Sequence, residues 1–175
     1  MNYQYNPLVK MDDCHIELIY GLLIAHKPKK VLEVGIGSSV VTNRIIEAFD
    51  YNDIEVDLTC VDNFTDWGGV PPLDLNIHKR YIVSNEKEFI ENCTDKFNFI
   101  ISDADHEHTN EWLDLTLGLL KDNGILIYHD VTNYMYPNLG EIITKCEEQN
   151  INHLLFNRSS LKSERCERGL LVIQK

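Results

Sequence analysis

The run Val31-Leu32-Glu33-Val34-Gly35-Ile36-Gly37-Ser38-Ser39 constrains the fold more than any other stretch of the chain. A short apolar strand runs directly into an acidic residue and a Gly-x-Gly turn. An apolar helical pattern follows at Val40, Val41, Ile45, Ile46 and Phe49. Strand, tight turn and helix in that order build the crevice at the carboxyl end of the first strand of a parallel α/β sheet. Gly35 and Gly37 lack a Cβ, so the backbone there can turn sharply and approach a ligand closely. The dinucleotide fingerprint reads Gly-x-Gly-x-x-Gly, and its sixth position here is Val40. A helix start without that third glycine suits a ligand without a pyrophosphate. Glu33 would repel a phosphate and attract a cation.

The rest of the chain alternates strand and helix. A helical stripe over 13–26, capped by Asp12 or Asp13, precedes strand one at 30–34. Helix A covers about 38–49. Strand two, 57–61, ends at Asp62, and a long loop around Trp67 follows. Strand three is short, 80–83, with a helix over 86–92. Strand four, 97–102, ends at Asp103. A helix over about 108–121 stops at Asp122-Asn123-Gly124, with Trp112 in its core face. Strand five, 125–128, ends at His129-Asp130, and a helix over 138–149 comes next. Two apolar segments, 153–157 and 169–174, close the chain as strands. Alternation predicts a parallel sheet with right-handed crossovers and helices on both faces. The closing pair predicts an antiparallel strand at the edge. The expected architecture is an α/β, Rossmann-like, seven-stranded and mostly parallel sheet with an antiparallel last strand. The 175 residues make one domain, with 1–11 as an N-terminal arm.

Charge and composition narrow the function classes. The formal net charge of −12 argues against a long nucleic acid, whose phosphates demand Lys and Arg. Lys162, Arg165 and Arg168 alternate with Glu164 and Glu167 and read as a solvated mixed-charge loop. No apolar run reaches the roughly 18 residues of a membrane span. The first residues lack the basic end and apolar core of a signal peptide, so a cytoplasmic location is expected. Cys14, Cys60, Cys93, Cys146 and Cys166 are scattered and odd in number, which reads as reduced thiols.

Polar residues stand at the ends of strands one, two, four and five: Glu33, Asp62, Asp103 and His129-Asp130. In an open α/β sheet those ends share one rim. A carboxylate ending strand two can accept both hydroxyls of a ribose; the bland alternative for Asp62 is a cap on Asn63-Phe64. Asp103, His129 and Asp130 could together hold a divalent ion, and an imidazole in the set shifts preference from magnesium toward manganese, iron or zinc. His106, one turn beyond Asp103, is a candidate general base. His108 reads as an exposed loop histidine. Residues 1–12, the Trp67 loop, Tyr134 and Tyr136 are the expected walls of a substrate pocket. That pocket is either open or completed by a second subunit, as in a homodimer.

With these residues in view, the sequence resembles the class I S-adenosylmethionine-dependent methyltransferases from about residue 12 onward. Glu33-Val-Gly35-Ile-Gly37-Ser-Ser39 is similar to their first motif, Asp/Glu-x-Gly-x-Gly-x-Gly, with Ser39 replacing the last glycine. Asp62 matches their ribose acid. Within that superfamily, Phe99 to His106 and Leu119 to Val131 resemble the metal-dependent O-methyltransferases of the catechol, caffeoyl-CoA and macrocin-like types. The resemblance implies that Glu33, Gly35, Gly37, Ser39, Asp62, Asn63, Ser84 and Asp103 bind S-adenosylmethionine. It implies that Asp103, His129 and Asp130 bind a divalent metal such as Mg2+. The usual pair after strand five is Asp-Asn or Asp-Asp, so His129 is a departure. The lysine that deprotonates the substrate hydroxyl in the catechol type matches His106. The implied acceptor is a small hydroxylated molecule. Two further readings stay open: a metal-independent methyltransferase acting on nitrogen or a macromolecule, and a nucleotide-binding protein without catalysis.

Overall fold

The computed structural model describes residues 11–37, 39–63, 80–157 and 168–175. Among them, helix α1 (Asp13–His26) precedes β1 (Lys30–Val34), α2 (Val40–Asn52) and β2 (Asp57–Asp62). Then come β3 (Arg80–Val83), α3 (Glu86–Asn92), β4 (Phe97–Ser102), a 3-10 turn (Thr109–Trp112) and α4 (Leu113–Leu119). The chain closes with β5 (Leu120–Tyr128), α5 (Pro137–Glu148), β6 (His153–Phe156) and β7 (Leu170–Gln174). The strands form a seven-stranded sheet in the order β3-β2-β1-β4-β5-β7-β6. Its first five positions are parallel, and β7 runs antiparallel to both neighbours.

The alternation of side chains along each strand divides the core into two layers. Leu32, Phe97, Ile100, Leu126 and Tyr128 face α3, α4 and α5 through Phe89, Ile90, Leu113, Leu119 and Ile142. Val31, Cys60, Phe99, Ile101 and Ile127 face α1 and α2 through Ile16, Ile19, Leu23, Ile45 and Phe49. Near-continuous apolar runs in β4 and β5 are what a sheet covered on both faces requires. No helix among the described residues is long and apolar enough to cross a membrane.

Two expectations from sequence change. The reversed strand is not at the edge: β7 lies between β5 and β6, and β6 is the border strand. The helix expected over 108–121 splits into the 3-10 turn and a short α4, and Leu120 already pairs with Phe97. Asp122-Asn123-Gly124 therefore sits inside β5, where the register with β4 shifts between Phe97 and Phe99. Asn123 takes a left-handed φ of 61° there. Its N–H donates to the Lys175 carbonyl at 2.9 Å, while Lys175 N donates to Gly124 O at 3.1 Å. The turn signal was real, but it bends a strand rather than ending a helix.

The turn after β1 depends on two unusual backbones. Gly35 has φ +84°, and a Cβ built on it would lie 2.2 Å from the carbonyl oxygen of Asp103. Ser39, at the N-cap of α2, has φ 64°, a left-handed conformation that glycine adopts freely and serine does not. It is the position where the first motif of the methyltransferases carries its last glycine. Gly35→Ala is expected to destabilise the protein by about 3 kcal/mol, as strain and backbone overlap add. Ser39→Gly is expected to keep or raise stability, by up to about 1 kcal/mol. Urea unfolding of both variants checks this; a Ser39→Gly variant that loses more than about 1 kcal/mol would remove the strain argument.

Candidate functional site

The carboxyl ends of β1, β2, β4 and β5 enclose a cavity of about 380 Å³. Gly35, Gly37, Asp62, Asn63 and Ser84 line one part of it, and Asp103, His106, His129 and Asp130 line another. On the first side, Asp62 Oδ2 accepts from Ile36 N at 2.7 Å and Gly37 N at 3.2 Å. One carboxylate thus holds the Gly-x-Gly loop in place. Gly35 N donates to Val61 O at 2.9 Å and Asp103 N to Val34 O at 2.9 Å, so the sheet's ladder continues into both loops.

Glu33 and Ser39 do not line the cavity. Glu33 is fully buried. In strand alternation it falls on the α1/α2 face, opposite Cys60 of β2 and Ile101 of β4. Cys60 Sγ lies 3.6 Å from its Oε2. Burial pushes its carboxyl up to about 8, with the charges of Asp62 and Asp103 adding to the effect. A neutral acid beneath the loop replaces the cation-attracting carboxylate expected from sequence. Ser39 is buried as well.

On the second side the side chains form a chain of acids and imidazoles. His106 Nε2 lies 3.3 Å from Asp103 Oδ1 and 3.3 Å from Asp130 Oδ2. His129 Nδ1 lies 3.2 Å from the same Asp103 oxygen and 3.7 Å from Asp130 Oδ2. Burial disfavours charge at Asp103, His106 and His129, and proximity overrides it. His129 and His106 hold Asp103 well below the usual carboxylate range. Asp103 and Asp130 push His106 up to about 11, and Asp103 raises His129. The Tyr136 ring packs on His106 with centroids 4.4 Å apart. Asp130 itself has φ 60°, a conformation aspartate tolerates better than most residues.

Several contributors were not singled out in the sequence. Glu86, at the first turn of α3, accepts from Ser102 Oγ at 2.6 Å, Thr109 Oγ1 at 2.8 Å and Asp105 N at 3.2 Å. It ties the end of β4 to the loop that carries His106. Asp12 and His15 at the start of α1 are buried near His129; their i, i+3 spacing beside Ile16 and Ile19 was the available signal. Arg168 is not solvated as expected: its Nε lies 3.6 Å from Asp130 Oδ1 and it lines the cavity. Lys162, Arg165 and the Trp67 loop lie outside the described residues, as do residues 1–10 of the arm, whose Met11 does line the cavity. His108 is exposed and Trp112 is core, as expected. Among the described residues, Cys14, Cys60, Cys93 and Cys146 are not joined in disulfides.

No family model and no curated protein matches the sequence. Solved structures match the fold along nearly its whole length. The O-methyltransferase from Bacillus cereus in complex with SAH has a TM-score of 0.73 at 11% identity, over 97% of this chain and 84% of its own. TomG from Streptomyces achromogenes, an O-methyltransferase involved in tomaymycin synthesis and solved with SAM, has 0.70 at 10% identity, over 97% and 83%. SAH-bound methyltransferase PaMTH1 from Podospora anserina has 0.68 at 16%, over 94% and 79%. This is the fold of the S-adenosylmethionine-dependent O-methyltransferases.

In an open α/β sheet ligands bind beyond the carboxyl ends of the strands, which here lead into Gly35, Asn63 and Asp103. The second cluster carries the donor atoms of a metal site. Asp103, His129 and Asp130 each offer one ligand atom, and these atoms lie within 4.8 Å of one another. Adjacent ligands on an octahedral ion with bonds near 2.1 Å are about 3 Å apart, close to the 3.2 and 3.7 Å separations from His129 Nδ1. Two carboxylates and one imidazole fit a divalent ion.

The buried Glu33 gives a pH test. Its carboxyl is raised above its unfolded value, so its contribution is fully present below about pH 4.5 and is lost as pH rises toward 8. Glu33→Gln, neutral at every pH, is expected to match the parent near pH 5 and exceed it by on the order of 3 kcal/mol at pH 8. Denaturant midpoints at the two pH values check this; a constant difference between the proteins would show that Glu33 is ionised in the fold.

Proposed function

We propose that this chain is an S-adenosylmethionine-dependent methyltransferase that methylates a hydroxyl of a small molecule, with a divalent ion at Asp103, His129 and Asp130. The observation that carries the reading is the convergence of the Gly-x-Gly loop, Asp62 and the Asp103–His106–His129–Asp130 cluster on one cavity. The fold shared with O-methyltransferases solved with SAM or SAH supports it.

The backbone of Gly35 to Gly37 carries the aminocarboxypropyl end of the cofactor. Asp62 serves the ribose, Asn63 and Ser84 face the adenine side, and Asp103 closes the floor between loop and acceptor. Acids around the cavity favour a sulfonium over an anion. A divalent ion held by Asp103, His129 and Asp130 would neutralise the two carboxylates and lower the pKa of an acceptor hydroxyl. His106, beside Asp103 and Asp130 in the cavity, would as the neutral imidazole accept the hydroxyl proton at Nε2. The acceptor oxygen forms its bond to the methyl carbon as the carbon–sulfur bond breaks, leaving S-adenosylhomocysteine. Tyr136 stacks on His106 and keeps the imidazole facing the cleft. Orientation of the reactants within the cavity supplies much of the acceleration.

One observation favours a second reading. His106 Nε2 already bridges the two carboxylates at 3.3 Å, so an imidazolium supplies positive charge at that point without a metal. A metal-independent methyltransferase would use it as an electrostatic element. Calorimetric titration with S-adenosylhomocysteine is expected to show one site, and Asp62→Ala to weaken it roughly tenfold or more. Methyl transfer is expected to stop in EDTA and return with Mn2+ or Mg2+. Binding of NAD in place of S-adenosylhomocysteine would overturn both methyltransferase readings. Activity indifferent to EDTA would overturn the first in favour of the second.

A further inference from the structure

His129 is enclosed, and its two ring nitrogens meet different partners. Nδ1 faces the acids of the cavity at 3.2 and 3.7 Å. Nε2 points the other way and lies 3.1 Å from Nδ1 of His15. His15 is wholly buried in the first turn of α1, 114 residues away in sequence. Its ring meets His129 edge-on with centroids 5.2 Å apart, and the Phe156 ring edge-on at 5.6 Å. Burying two imidazoles against one another removes both from water, and an apolar side chain at position 15 would fill the space without that cost. The arrangement calls for a function.

We infer that His15 is the positioning residue for His129, accepting its Nε2–H so that Nδ1 keeps its lone pair for a metal ion. The inference rests on the proposed metal set and deepens it. A ring that ligates through Nδ1 carries its hydrogen on Nε2, and a buried N–H needs an acceptor. Ligating histidines generally donate that second N–H to an outer partner, which holds the ring's angle and its tautomer. His15 Nδ1 is that acceptor, and the hydrogen of His15 then sits on its own Nε2. The buried Asp12 carboxylate lies 3.9 Å from His15 Nδ1, beyond hydrogen-bond reach. Its negative potential favours a proton held between the two rings. The helix before the first strand thereby contributes to the site, although neither Asp12 nor His15 lines the cavity.

Mn2+ binding by the full chain, read from loss of the EPR signal of the free ion, tests this without turnover. Melting curves of the metal-free proteins serve as the folding control. His15→Leu removes the acceptor at similar volume, and His15→Gln returns an acceptor oxygen. His15→Leu is expected to weaken Mn2+ binding by roughly 10- to 100-fold, and His15→Gln to recover most of it. Asp103→Asn is expected to abolish binding. Parent affinity in His15→Leu would overturn the positioning role and leave the metal set standing. Equal weakening in His15→Leu and His15→Gln would overturn it in favour of packing alone. A parent protein that takes up no Mn2+ would overturn the metal set and the role of His15 with it. Asp103→Asn binding like the parent while His15→Leu is weak would place the ion among Asp12, His15 and His129, against the assignment.

Discussion

The cleft exists because β1 and β4 touch at their tips. Gly35 lies so close to the Asp103 carbonyl that no side chain fits between them. Beside that contact Asp103 N donates to Val34 O, so the two strand ends are held backbone to backbone. Asp62 then gathers the Ile36 and Gly37 amides from the neighbouring strand. Three strand ends are locked into one unit before any ligand arrives. Loop amides already held in place lose little further freedom when they meet a ligand, which is the general benefit of preorganisation.

Ionisable side chains are buried in and around the cleft. Asp12, His15, Glu33, Glu86, His129 and Asp130 are all buried. Each removes an ionisable group from water, and each finds an acid, an imidazole or a hydrogen-bond donor nearby. The fold tolerates this because two apolar layers hold the sheet on either side. Glu33 and Glu86 show two solutions to the same problem. Glu33 gives up its charge under α2. Glu86 gathers three donors and braces the loop after β4, although burial still raises it.

Much of this was readable from the residues in order. Strands 30–34, 80–83 and 97–102 and the helix over 86–92 match the elements found, because apolar runs bounded by turn residues leave few options in a covered parallel sheet. The rim of acids was also legible, since strand ends in such a sheet share an edge. What failed did so for local reasons. Glu33 stood next to the glycines, but period-two alternation had already turned it toward α2. Asn123-Gly124 carries the same chemistry in a helix stop and in a bent strand, and only pairing with Phe97 and Lys175 distinguishes them. His15 was hidden because an imidazole in an apolar stripe gives no sign of a partner 114 residues away.

The reversed β7 has a consequence for how such a cleft varies. A parallel strand presents its last residue at the rim, whereas β7 presents its first. The chain leaves the rim after Phe156 and returns to it at Arg168, which rests against Asp130. Of these two strand ends, Arg168 lines the cavity. An exchange at Arg168 would therefore change the charge beside Asp130 while the β5–β7 ladder beneath kept its register.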